Sequence, residues 1–115
     1  MNNKRSFSGT VAFGAARAGS LGFPTVNITL SDDNVSGIYA GEVKHADRTY
    51  HAAVFADQKR KLLEAYLLDF EEDMYGEEIS ITLLKKIREN ELFTDDAVLQ
   101  EQIEKDVEDV RAFFA

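Results

Sequence analysis

The sequence predicts a mainly β fold, a six-stranded antiparallel, Greek-key-like closed barrel followed by one C-terminal amphipathic α-helix. Three observations point there. The apolar pattern has period two up to about residue 94 and a helical period beyond it. The strand-like segments are short and numerous, and most are separated by turn-forming residues. So little helix accompanies them that no second layer is available to cover sheet edges, and a sheet in that position removes its edges by closing on itself.

In chain order, Phe7, Gly9, Val11 and Phe13 alternate with Ser8, Thr10 and Ala12, as a half-buried strand does. Val26, Ile28 and Leu30 alternate in the same way with Asn27 and Thr29. Gly37 to Lys44 and Arg48 to Ala56 flank His45-Ala46-Asp47, a hairpin signal. Leu62 to Phe70 and Ile79 to Lys86 flank an acidic turn ending in Tyr75-Gly76, and a second hairpin is expected. The strands thus fall between about residues 6 and 93, and the helix over about 95–114. Leu99, Ile103, Val107, Val110 and Phe114 form its apolar stripe, which should pack on the barrel as a lid. Thr94 is the expected N-cap, Asp95 and Asp96 suit the positive end of the helix dipole, and Arg111 suits the negative end.

Composition narrows the function classes. The 115 residues carry 13 Lys+Arg and 21 Asp+Glu, for a net charge of -8. Such a chain buries about two-thirds of its unfolded surface, enough for one core, and a single domain over 1–115 is expected. Zero cysteines exclude disulfides, thiolate metal sites and cysteine catalysis. No apolar run approaches about 20 residues and no signal-peptide pattern opens the chain, so no membrane partner and a cytoplasmic location are expected. Residues 1–60 hold seven basic and five acidic side chains, and the acidity lies in the remainder. Without a clustered basic field, no nucleic-acid partner is expected.

The segment from Gly9 to Asn27 (GTVAFGAARAGSLGFPTVN) holds four of the seven glycines and the only proline. Glycines placed between strands suggest that backbone approaches a ligand closely, such as a phosphate chain, or else a mobile surface loop. Arg17 tilts the segment toward an anion. The phosphate-loop signature GxxxxGK[ST] is absent, because Ser20-Leu21 follows Gly14 and Gly19. Thr25 and Asn27 project together if Val26 points inward, giving two hard oxygen ligands of the kind Mg2+ accepts, or two ordinary strand-edge polar residues. Glu64 interrupts an apolar strand on the face of Tyr66, Leu68 and Phe70. It is either a carboxylate with a raised pKa, hence a general base, or a solvent-facing residue of an edge strand. His45 and His51 are better suited to structural roles, and Lys59-Arg60-Lys61 reads as a solvated turn with a small prospect of touching phosphate.

Taken together, these segments resemble the riboflavin kinase family. The resemblance rests on Gly9-x-Val11-x-x-Gly14, Leu21-Gly22-Phe23-Pro24-Thr25-Val26-Asn27, Gly37-Ile38-Tyr39-Ala40-Gly41 and Glu64 to Phe70. Asp73-Met74-Tyr75-Gly76, Ile87-Arg88-x-x-x-x-Phe93 and Ile103-x-x-Asp106 continue it in the same order, from about Phe7 to Val110. The resemblance implies ATP-dependent phosphorylation of the riboflavin ribityl hydroxyl to give FMN. Glu64 would be the catalytic base. Gly14, Arg17, Gly22, Thr25 and Asn27 would bind ATP phosphates, Thr25 and Asn27 would also hold Mg2+, and Arg88, in the loop before the helix, and Phe93 would lie near the flavin. The alternative is a non-catalytic flavin- or nucleotide-binding barrel. Two departures stand out. The family's middle loop glycine falls at Ala18, and the insertion between the fourth and fifth strands is reduced to Asp57-Gln58-Lys59-Arg60-Lys61, which would open the pocket or loosen nucleotide selectivity. A stand-alone monomeric kinase is expected, without FAD synthesis.

Overall fold

In the computed structural model, which describes residues 5–12, 21–70 and 74–115, six strands precede one helix. They are β1 (Arg5–Thr10), β2 (Val26–Thr29), β3 (Gly37–His45), β4 (Arg48–Asp57), β5 (Leu62–Leu67), β6 (Glu78–Arg88) and α1 (Asp96–Phe114). Every pairing is antiparallel and the spatial order is β1-β6-β3-β4-β5-β2. Strands β3, β4 and β5 are successive neighbours and β6 returns beside β3, which is the Greek key connection. The two edge strands approach each other as well. Ala12 bridges to Asn27, its N–H donating to the Asn27 carbonyl at 2.8 Å, so the barrel is nearly closed.

Alternation places Val26, Ile28, Val43, Val54, Leu63, Ala65, Ile79 and Ile81 inside, where they form the main core with Val35 and Met74. The β3–β4 hairpin forms as the sequence predicts, closing at His45–Arg48 with Ala46 in a left-handed turn at φ 54°. The second expected hairpin does not form. β5 pairs with β4 and β2, whereas β6 pairs with β3 and β1, and residues 68–77 carry the chain between them. Period two identifies a strand and its inward face, but it does not select a neighbour. Leu68 continues the outer face with Tyr66, in the cluster under α1, but Asp69, at φ 65°, then turns the chain, and Phe70 packs edge-on against Tyr50 of the main core instead.

The barrel bends where β6 carries extra residues opposite β3, with register shifts between Ile38 and Tyr39 and between Ala40 and Gly41. A Cβ on Gly41 would stand 2.6 Å from the Thr82 carbonyl oxygen and 2.9 Å from Val54 Cγ2. Gly37 adopts φ +102°, and its absent Cβ leaves room for the Arg88 carbonyl, 2.5 Å from where that atom would stand.

Helix α1 packs on the outer side of the wall made by β3, β4 and β6. Val107 and Val110 are buried there against Ala40 and Leu68, with Ile103, Phe114, Ala53 and Tyr66 around them. The N-cap is Asp95 rather than Thr94. Its carboxylate accepts from the N–H groups of Ala97 at 2.8 Å and Val98 at 3.4 Å, an arrangement that starts the helix one residue later than expected.

Gly41→Ala should cost about 1–3 kcal/mol, because the new methyl meets backbone that cannot move without breaking the β3–β6 ladder. Urea unfolding followed by far-UV circular dichroism measures it, and an unchanged midpoint would contradict the close approach.

Candidate active site

A cleft of about 420 Å³ opens between the outer face of the barrel and α1. Inward-facing Val26 and Ile28 leave Thr25 and Asn27 on the outer face, and inward-facing Leu63 and Ala65 do the same for Glu64 and Tyr66. Register then brings these residues together, since Asn27 stands directly opposite Glu64, which on its other side stands opposite Phe55. Thr25 lines the cleft. Asn27 lies behind it, 1% exposed, and Thr25 Oγ1 donates to Asn27 Oδ1 at 2.8 Å.

Glu64 lines the cleft yet is only 4% exposed. It is not on an edge strand, because β5 lies between β4 and β2. Burial pushes its carboxyl above the usual glutamate range, the Arg60 guanidinium pulls it partly back, and Asp57 adds to the rise. Arg60 Nη1 stands 3.9 Å from Glu64 Oε1, close enough for attraction but beyond hydrogen-bond reach.

Arg88 and Phe93 both line the cleft, with the guanidinium carbon 5.9 Å from the ring centroid. Arg88 is the last residue of β6 rather than part of the loop that follows, because the β3–β6 ladder extends to Ile38–Arg88. Its Nε and Nη2 each donate to Asp106 at 2.8 Å, and Nη1 donates to the Glu89 carbonyl at 2.9 Å. Asp106, buried on α1, also accepts from Gln102 at 3.0 Å. This fork ties the helix to the end of β6.

Gly22 is exposed at φ +96°, in the turn leading to Phe23. Gly14 and Arg17 lie outside the described residues. His45 and His51 sit away from the cleft. His45 Nε2 contacts Glu77 at 2.6 Å, and His51 stacks on Phe114 with centroids 3.7 Å apart. Sequence reasoning did not assign the edge-to-face pair of Phe23 and Tyr66, centroids 5.4 Å apart, to the site, nor Asp57. Tyr66 carried a signal, since it is two residues from Glu64 on the same face. Among the described residues, no group of three or more His, Asp or Glu converges to hold a metal ion, and no helix is long and apolar enough to cross a membrane.

The family model described as Flavokinase, riboflavin kinase, matches residues 1–114. A bifunctional riboflavin kinase/FMN adenylyltransferase from Buchnera aphidicola subsp. Acyrthosiphon pisum is 35% identical over 120 aligned residues, which take in 95% of this chain and 38% of the relative. The chain therefore spans well under half of that curated relative. A solved riboflavin kinase structure from Trypanosoma brucei superposes with a TM-score of 0.66 at 27% identity, covering 96% of this chain and 79% of that one. A solved structure described as a macrolide-efflux protein from Streptococcus pneumoniae gives a TM-score of 0.77 at 26% identity, covering 92% of this chain and 36% of that one.

Asp106→Ala removes the acceptor of a bidentate pair and leaves a half-buried guanidinium. A loss of about 3 kcal/mol is expected. Equilibrium unfolding of the variant tests it, and a loss under 1 kcal/mol would show that water replaces the carboxylate freely.

Proposed function

We propose that this chain, which belongs to the riboflavin kinase family, transfers the γ-phosphoryl group of ATP to the terminal ribityl hydroxyl of riboflavin, giving FMN and ADP. The observation that carries this reading is the register of β2 on β5, which sets two hard oxygen ligands beside a buried carboxylate at a cleft of substrate size. Phosphoryl transfer asks a protein chiefly for positioning and charge compensation, and that arrangement offers both.

In this reading Glu64 accepts the hydroxyl proton. Its raised proton affinity suits it to the task, because a base works best when its pKa lies near the working pH. Thr25 and Asn27 face phosphate oxygens. Their side chains carry the hard oxygens that Mg2+ accepts, and holding the ion would exchange the present hydrogen bond from Thr25 Oγ1 to Asn27 Oδ1 for two metal contacts. When bound, the ion neutralises phosphate charge. Gly14, Arg17 and Gly22, in the glycine-rich segment, contribute phosphate contacts. The flavin ring lies toward Phe93 and Arg88. Because Arg88 donates to Asp106 and Glu89, it offers the flavin chiefly the flat face of its guanidinium. A monomer acting in the cytoplasm without a nucleic-acid partner completes the proposal. The direct test is incubation with riboflavin, ATP and Mg2+, with chromatography for FMN. Tight riboflavin binding without FMN would favour a non-catalytic flavin-binding barrel.

Glu64→Gln keeps the shape of the side chain and removes its capacity to take a proton. kcat should fall by about 10²- to 10⁴-fold while both substrate affinities stay within a few-fold. Stopped assays beside equilibrium binding separate the two, and parental kcat would remove Glu64 from the mechanism.

A pH prediction follows with a definite sign. Because the folded pKa of Glu64 is raised, the native state binds more protons than the unfolded chain between the unfolded value, about 4.3, and the folded one. Stability from this group is fully present below that window and is lost as pH rises through it. At pH 7 Glu64→Gln should therefore be at least as stable as the parent by urea unfolding. The acid limb of the parent kcat/KM profile, which reports the free protein, should lie above the usual glutamate range, and a limb at or below about 4.3 would contradict the raised pKa.

A further inference from the structure

The turn between β4 and β5 has an unusual division of labour. Asp57 accepts from the Arg60 N–H at 3.1 Å, and Gln58 Nε2 donates to the carbonyls of Asp32 and Val35, each at 2.6 Å. Lys61, in the left-handed region at φ 57°, donates to Asp33 at 2.9 Å and Gln58 at 2.7 Å. Three of the turn's side chains thus fix its backbone, and the two left over, Lys59 and Arg60, line the cleft.

Three described cations line the cleft, and they differ in what already engages them. Arg88 is held by the two oxygens of Asp106. Lys59 has no ion-pair or hydrogen-bond partner among the described residues. The Arg60 side chain is 43% exposed, and its contact with Glu64, at 3.9 Å, is too long for a hydrogen bond. A polyphosphate entering this cleft meets those two charges without a hydrogen-bonded partner to displace, although the carboxylates of Asp57 and Glu64 line the same cleft.

We propose that this turn is a phosphate clamp, in which Arg60 stabilises the charge on the transferring phosphoryl group and Lys59 holds the polyphosphate behind it. The inference rests on the kinase reading above and adds two residues to it. In the transfer, the ribityl oxygen bonds to the γ-phosphorus as its proton passes to Glu64. The bond from that phosphorus to the β,γ-bridging oxygen breaks, and its electron pair leaves with ADP. The reacting hydroxyl lies between Glu64 and the γ-phosphorus, so a guanidinium beside the Glu64 carboxylate is also beside the peripheral phosphoryl oxygens. A cation there strengthens its hold as the transition state forms, and the pinned turn fixes the backbone position from which the guanidinium reaches.

The test uses the full chain and separates binding from turnover. Arg60→Ala should lower kcat by about 10²- to 10³-fold with riboflavin affinity unchanged. Added guanidinium ion should restore part of the rate, which a purely structural role would not allow. Arg60→Gln, similar in length and polar, should be as slow as Arg60→Ala in the absence of guanidinium. Lys59→Ala should raise KM for ATP about 5- to 10-fold with kcat within twofold, and the effect should shrink in high salt, as an exposed charge contact does. Parental kcat in either Arg60 variant, or a loss of rate matched by a loss of riboflavin affinity, would overturn the role of Arg60, and unchanged KM in Lys59→Ala would overturn that of Lys59. If the parent protein makes no FMN, the kinase reading fails on its own. Calorimetry of Mg-ATP with the double variant then decides the clamp, with weaker binding upholding it and equal binding overturning it.

Discussion

The register of β2 on β5 is the constraint on which the site depends. β2 has only four residues, and a slip of one position would turn Val26 and Ile28 into the cleft and Asn27 into the core. Ile28 opposite Leu63 and Val26 opposite Ala65 prevent it, since all four are buried within the barrel. Burying a side chain the size of Ile or Leu stabilises by about 1.5–3 kcal/mol, so exchanging the two faces would cost several such contributions. The Leu30 N–H donates to the Lys61 carbonyl and extends the same alignment past the end of β2, while the Ala12 N–H holds the other edge of the strand at the Asn27 carbonyl. Apolar packing inside the barrel therefore aims the polar groups outside it.

Those polar groups are kept at some expense to the fold. Asn27, Asp57, Glu64 and Asp106 are all buried, and an isolated buried carboxylate is a destabilising group. Each is compensated differently. Asn27 accepts from Thr25, Asp57 from the Arg60 N–H and Asp106 from Arg88 and Gln102, whereas among the described residues Glu64 has only the more distant Arg60. The least compensated of the four is the one suited to receive a proton. Its neighbours are tied down while it is left responsive.

How much of this was legible in the sequence depends on whether the deciding interaction was local. The β3–β4 hairpin was readable because its two strands and its turn are contiguous, and α1 because its stripe repeats over several turns. The β5–β6 hairpin failed because partner choice is settled by strands far away in the chain. Glu64 shows the same limit. Its burial follows from β5 lying between β4 and β2, a fact of topology, so local pattern left it divided between two readings and only the family resemblance favoured one. Thr94 and Asp95 are both acceptable caps, and geometry alone chose Asp95. Asp106 came into view only as part of a motif, since nothing along the helix announces that a residue far upstream will bind it. For Lys59 and Arg60 a charge run in a turn ordinarily means solvent, and their direction became apparent only once the other turn residues were seen to be occupied.

The pairing of β1 with β6 joins Arg5 to Leu83, and it bears on how the molecule is made. A ladder of such sequence separation is among the slowest contacts to form, because a long loop must close before any contact rewards it. During synthesis the β3–β4–β5 meander can assemble as soon as it emerges, while β1 waits for β6 with its edge unpaired. Over that interval the nascent chain holds an open sheet, the form most prone to pair with another copy of itself. The tether from α1 to Arg88 comes later still, so the cleft acquires its second wall only when translation of this region is almost complete.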